Sequence, residues 1–354
     1  MTILDYFYTN PPTNEEYYPR KLSYPKGSFF LYGARGVGKS SYIINYLEHL
    51  DKKSFLYIDA QDPTFILEEL DLESLQEFIK EENIKLLVID HYYKGFLESY
   101  PKVEKLIIIS SQKLETTLEA IELYPLDFEE FLNFTKSSSI TFAFNLYSKR
   151  GSLPALAKST NIQSKAKSFF FEKFEIQEGK VILILSLFHT KIATANQIFK
   201  KAKEYFKISK DWLYKTIKNF ENEGVIYQIE TFEGGFGKKI ILYDFSFAKY
   251  LNKYMPFIYI FDSMIANALI KKQKKLKAIL NPLGYIVNNK ELILIMPFEN
   301  EESSWIKIQN SFNLFIKLNF KEVKIVTISN SFSFTIKDIT FIATPFYEWA
   351  ITQD

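Results

Sequence analysis

The sequence predicts an α/β chain of three modules: a parallel-sheet domain over residues 1–155, a helical linker and winged helix-turn-helix over 156–250, and a small α/β module over 251–354. Three features carry that reading. Short apolar runs alternate with helical stretches through the first 150 residues, as a parallel sheet with crossover helices requires. A glycine-rich loop joins the first of those runs to the first helix. After Gly179 the texture turns helical and closes with a hairpin before mixed α/β returns.

In the first module, residues 28–32, 54–58, 85–89, 105–109 and 121–124 read as strands, and 39–50, 67–82 and 113–119 as the helices between them. Further on, 180–189, 195–206 and 210–223 read as three helices, with Thr194 and Ser209 as N-caps for the second and third. Residues 225–230 and 239–243, around the Gly234-Gly235 turn, form the hairpin of a winged helix. The last module reads as a helix over 261–280, strands 285–288 and 292–298, a helix 303–318, and strands 322–329 and 338–344.

Composition narrows the function. The 354 residues are 47% hydrophobic and 17% aromatic at a net charge of +2, which supplies ample burial and excludes disorder as the dominant state. Cysteine is absent, so disulfides, thiolate metal sites and a cysteine nucleophile are excluded. No apolar run approaches the roughly 18 residues of a membrane span. Residues 1–12 lack the blocks of a signal peptide, and a cytoplasmic, membrane-free protein is the expectation. Charge is uneven: residues 1–150 carry net −7 and residues 151–354 net +9, so the back half could approach a polyanion. Of the 44 basic residues only Arg20, Arg35 and Arg150 are arginine, and lysine gives loosely oriented phosphate contact.

The loop Gly33-Ala34-Arg35-Gly36-Val37-Gly38-Lys39-Ser40, continued by Ser41, lies between a strand and a helix, which is the context a P-loop demands. Gly36 and Gly38 let successive N–H groups turn inward toward phosphate at the positive end of a helix. Lys39 supplies a point charge for the β and γ phosphates, and the Ser40 hydroxyl joins the Mg²⁺ shell. The strand 86–89 then delivers Asp90 at its C-terminal edge, where α/β sheets place ligands, as the metal-side carboxylate.

Together with Ser110-Ser111 after the strand 106–109 and the run Tyr124-Pro125-Leu126-Asp127-Phe128-Glu129-Glu130-Phe131-Leu132, these motifs resemble the bacterial and archaeal AAA-type ATPases. Those proteins carry a Ser-Ser sensor and a Pro-Leu-Ser-Phe-x-Glu-Phe signature, and Arg150-Gly151-Ser152-Leu153-Pro154 is similar to their Gly-x-Pro element. The resemblance implies ATP and Mg²⁺ as ligands, Ser110 or Ser111 as γ-phosphate sensor, and a winged helix followed by a domain related to restriction-type nucleases. Two departures matter. His91 stands where the water-orienting Glu usually follows the Asp, either as a neutral imidazole base or as a strand cap beside Tyr92 and Tyr93. No Arg lies between Arg35 and Arg150, so hydrolysis should be slow unless Arg150 or a partner supplies the charge. Asp59 and Asp62, after the second strand, could assist the missing base or stand as solvated loop acids.

Lys210, Tyr214, Lys215 and Lys218 face away from Leu213, Ile217 and Phe220 on the third helix, and with wing residues Lys238 and Lys239 they form a surface for duplex DNA or a protein partner. The run Lys271-Lys272-Gln273-Lys274-Lys275-Leu276-Lys277 is either a solvated helix face or a second nucleic-acid contact. In the last module the nuclease positions look vacant. Residues 294–298 are apolar, Asn288 and Asn289 replace acids, and Glu322-Val323-Lys324 reads as a chance triplet. The expected activity is slow Mg-dependent ATP hydrolysis coupled to DNA or partner binding, with a non-hydrolysing ATP-gated binding protein as the alternative.

Overall fold

Strands β1 (Phe29–Tyr32), β2 (Phe55–Asp59), β3 (Leu86–Asp90), β4 (Lys105–Ser110) and β5 (Glu119–Glu122) form one sheet in the order 2-3-4-1-5. Every pairing in it is parallel. The computed structural model describes residues 2–352 apart from Glu15, Glu16, Tyr18 and Ser138. Its contacts divide the chain into a first unit, Met1–Tyr124 with Asn222–Gly224, and a second, Pro125–Glu221 with Val225–Asp354.

In the first unit, strands β1 to β4 are nearly all apolar and buried, as in a parallel sheet covered on both faces. Alternate residues Phe30, Leu56, Ile58, Leu87, Ile89 and Ile108 share a core cluster with Leu75 and Ile79 of the helix Leu72–Glu81. Leu4 and Phe7 join it from a helix, Ile3–Thr9, that periodicity did not announce because it is short; a Thr2–Asp5 capping box starts it. The helix expected at 67–82 begins only at Leu72, because the Asp71 side chain accepts from the Ser74 N–H and caps it there. The helix expected at 113–119 does not form. Thr116 Oγ1 accepts from the Leu118 N–H at 3.1 Å, a local turn that competes with helix, and β5 starts at Glu119.

The second unit begins with helices Phe128–Thr135, Ile140–Arg150, Pro154–Ala157, Ile162–Lys173 and Ile176–Leu187. Strand β6 (Ile192–Ala193), helices Ala195–Lys203 and Lys210–Asn222, and the hairpin β7 (Ile226–Thr231) and β8 (Lys238–Leu242) follow. Helices Phe245–Leu251 and Phe257–Lys271 lead to β9 (Leu276–Leu280), β10 (Leu283–Val287) and β11 (Glu291–Ile295). Two helices, Glu301–Asn310 and Phe312–Leu318, precede β12 (Glu322–Thr327), β13 (Phe332–Ile336) and β14 (Ile339–Pro345). All nine strands form one sheet, ordered 13-14-12-11-10-9-7-8-6, in which β7 meets β9 through Glu230 opposite Lys277 and Thr231 opposite Ala278.

The expected helix over 261–280 is corrected: it stops at Lys271, where Gln273 at φ +53° breaks the run, and residues from Leu276 onward become β9. The expected helix over 303–318 is two helices parted at Ser311, and β13 was not anticipated. Ile279, Leu292, Leu294, Phe315, Ile325 and Phe341 lie in the core of this sheet. No helix among the described residues is long and apolar enough to cross a membrane.

Candidate nucleotide site

The glycine loop leaves the C-terminal end of β1, whose last residue, Tyr32, stands opposite Ser110 of β4 and Glu122 of β5. Backbone geometry explains its glycines. Gly36 at φ +85° and Gly38 at φ +94° hold left-handed conformations that a side chain resists, and Gly38 N-caps the helix Lys39–Leu47. At Gly33 a Cβ would stand 2.2 Å from the Leu123 carbonyl oxygen, so the strand exit admits only glycine. Ala34 and Val37 are buried; Ser40 and Ser41 are partly exposed at the start of the helix. Lys39 Nζ donates to the Gly33 and Ala34 carbonyls at 2.7 and 3.0 Å, which holds the ammonium within the loop.

Asp90, 1% exposed at the end of β3, accepts from two donors: the Tyr57 hydroxyl on Oδ2 and the His91 N–H on Oδ1, the latter at 2.7 Å. Tyr57 thus ties β2 to the carboxylate at the end of β3. Burial first, then the Asp90 charge, drives the Tyr57 hydroxyl pKa far upward and keeps its proton in place. Sequence reasoning passed over Tyr57. The signal was its place two residues before Asp59 on a strand beside β3.

His91 adopts φ +52° and turns its ring across to β2, where Nδ1 lies 2.8 Å from Asp59 Oδ1. That hydrogen bond raises the imidazole pKa against the opposing effects of burial and the Lys39 charge. Nδ1 of His91 is thereby committed to a carboxylate partner on the neighbouring strand. Asp59 is lowered overall, because burial raises it while the hydrogen bonds from His91 and the Gln61 N–H outweigh that effect. Asp62 instead caps a 3₁₀ turn, accepting from the Thr64 N–H at 2.9 Å.

The remaining expected residues separate. Ser110 is buried and its Oγ accepts from the Gln112 N–H, while Ser111 lies one residue past β4, partly exposed. Arg35 donates Nε and an Nη to Glu223 Oε2, at 2.9 and 2.6 Å, and Glu223 is 3% exposed. Arg20 donates to the Val37 and Tyr124 carbonyls. Arg150 donates to the Ala157 carbonyl, a partner within the second unit.

Two motifs that pointed to an ATPase build the second unit itself. Asp127 and Glu130 form a capping box on the helix Phe128–Thr135, and Lys271 pairs with both carboxylates. That removes Lys271 from the expected nucleic-acid run. Gly151, at φ +83°, brings the chain against Asp244, which accepts from Ser152 N–H, Ser152 Oγ and Leu153 N–H. Lys239 is corrected as a partner contact: it is fully buried, 2.6 Å from Asp262, and reaches no surface. Lys210, Lys215, Lys218 and Lys238 are exposed and Tyr214 partly so.

Residues 26–98 match the AAA domain. The AAA match spans the glycine loop, Tyr57, Asp59, Asp90 and His91, all within the first unit. Among solved structures, a Walker-type ATPase of Pyrococcus abyssi is similar at 12% identity and a TM-score of 0.42, over 63% of this chain and 90% of its own. No curated protein matches the chain.

Proposed function

We propose that the chain binds Mg-ATP, hydrolyses it slowly, and couples its nucleotide state to duplex DNA or a protein partner. The glycine cradle carries this reading, because Gly36 and Gly38 take left-handed conformations at the N-terminus of the helix that Lys39 and Ser40 begin. The residues fit a metal-bound triphosphate. Ser40 would enter the metal shell directly, and Asp90, with one donor already on each oxygen, would act through metal-bound water. The bound metal supplies charge neutralisation as negative charge shifts toward the leaving oxygen. Lys39 would neutralise the β and γ phosphates, and Ser111 would read the γ-phosphate.

A second reading, a nucleotide-gated binding protein with little turnover, is favoured by the arginines. All three have partners, at Glu223, at the Val37 and Tyr124 carbonyls and at the Ala157 carbonyl, and His91 replaces a glutamate. For the partner, Lys210, Tyr214, Lys215, Lys218 and Lys238 supply a face suited to phosphate contact, read as that of a winged helix. The last strands are read as a nuclease-like fold without catalytic groups. Asn288 and Asn289, at φ +53° and +56°, form the turn between β10 and β11, and Lys324 is paired with Glu291. No group of three or more acidic or histidine side chains that could hold a metal ion forms among the described residues.

Phosphate release from Mg-ATP by the purified chain, with and without duplex DNA and beside Lys39→Ala, tests the proposal. Release above that variant, faster with DNA, supports the coupled ATPase. Tight ATP binding without release under either condition leaves the gated binding protein.

A further inference from the structure

We infer that Asp59 is the carboxylate that orients the attacking water and that His91 is its positioning partner. The inference rests on the hydrolase reading above. Strands β2 and β3 run parallel with Asp59 directly opposite Asp90, and the Ala60 N–H donates to the Asp90 carbonyl at 2.9 Å, so both carboxylates leave one sheet edge side by side. The residue after Asp90, where a glutamate would serve, is a histidine in the left-handed conformation whose ring is tied to Asp59 at 2.8 Å. A carboxylate is thus returned to that edge from the neighbouring strand.

The hydrogen bonds within the pair leave one oxygen for this task. Both the His91 ring and the Gln61 N–H bind Asp59 Oδ1, and Oδ2 has no hydrogen bond among the described residues. The Asp59 side chain is 39% exposed, open to water yet fixed in place. Its rivals are committed elsewhere. Asp90 is 1% exposed with a donor on each oxygen, Asp62 caps a turn, and His91 Nδ1 faces Asp59.

In the step, the water oxygen bonds to the γ-phosphorus as the bond from that phosphorus to the β,γ-bridging oxygen breaks. The electron pair departs with ADP. One water proton passes to Asp59 Oδ2 and on to solvent, leaving inorganic phosphate. Asp59 selects and aims the water, while Lys39 answers the charge on the phosphates.

The test uses the full chain and two measurements, phosphate release and affinity for a fluorescent ATP analogue. Asp59→Asn should slow release by about 100-fold or more while affinity stays within about threefold of the parent. His91→Asn, which tolerates the left-handed backbone and keeps a side-chain N–H, should retain most turnover. His91→Gly, which relieves the backbone but removes the donor, should lose about tenfold. Asp59→Asn at the parental rate overturns the inference and leaves the hydrolase reading standing, and so does loss of ATP affinity together with turnover in that variant. A parent chain that binds the analogue yet releases no more phosphate than Lys39→Ala overturns both.

Discussion

Tyr57 donates its hydroxyl to Asp90 across the seam between β2 and β3. On the proposed reading the phenol fixes the carboxylate that would act on the metal, from a strand that would supply no metal ligand itself. Outer partners of this kind typically contribute 10- to 100-fold in metal affinity. Tyr57→Phe should therefore weaken ATP binding about tenfold in the presence of Mg²⁺ and leave Mg-free binding unchanged. Paired nucleotide titrations with and without the metal check this, and equal losses in both would sink it.

Arg35 reaches from the glycine loop to Glu223 in the returning segment Asn222–Gly224. The carboxylate neutralises a cation one residue from the glycine that shapes the phosphate cradle. Glu223→Gln keeps the shape and removes the charge, so the loop becomes more positive toward phosphate. ATP affinity should rise about five- to tenfold, about 1 kcal/mol. Calorimetric titration of ATP into both proteins gives the answer, and an unchanged or weaker constant for the variant refutes it.

Lys239 and Asp262 form an ion pair with neither side chain exposed, and the Tyr285 hydroxyl donates to the other Asp262 oxygen at 2.6 Å. Removing one member strands the other charge away from water. Lys239→Met should cost about 3–5 kcal/mol, and adding Asp262→Asn, which keeps an acceptor for Tyr285, should recover most of it. Denaturant unfolding followed by tryptophan fluorescence reads this unit alone, because Trp212, Trp305 and Trp349 all lie in it. A double variant as unstable as the single one would contradict the prediction.

His189 is buried, accepts from the Leu242 N–H through Nδ1, and has its pKa pushed down to about 3, by burial first and by Lys239 second. Unfolding restores the ordinary value of 6.5, so between those two values the unfolded chain binds the extra proton. The contribution to stability is full above pH 6.5 and declines as pH falls toward 3. From pH 7 to pH 5 the second unit should lose about 2 kcal/mol through this group. His189→Gln should flatten that part of the profile; an equal decline in the variant would assign the acid sensitivity elsewhere.

The glycine loop and Asp90 were legible because their chemistry is local. Gly36, Gly38 and Lys39 specify a turn and a charge within a few residues, and the apolar run before Asp90 marks a strand end. The pair Asp59–His91 was not legible, since it depends on register between strands about thirty residues apart in sequence. Burial of Lys239 was likewise hidden. On the isolated hairpin it reads as a wing cation, and only the helix Phe257–Lys271 brings Asp262 to meet it. The break at Gln273 was missed because lysines and leucine suit a helix face as well as a turn and an edge.

The return segment also orders events in time. All five strands of the first sheet lie before Tyr124, whereas Glu223 is made about a hundred residues later, some 5–20 s at ordinary synthesis rates. A nascent first unit can therefore close its sheet and shape its glycine loop while the counter-charge for Arg35 is still untranslated. In that interval Arg35 stands without its counter-charge, and the loop keeps its full positive charge until the helix Lys210–Asn222 has been made.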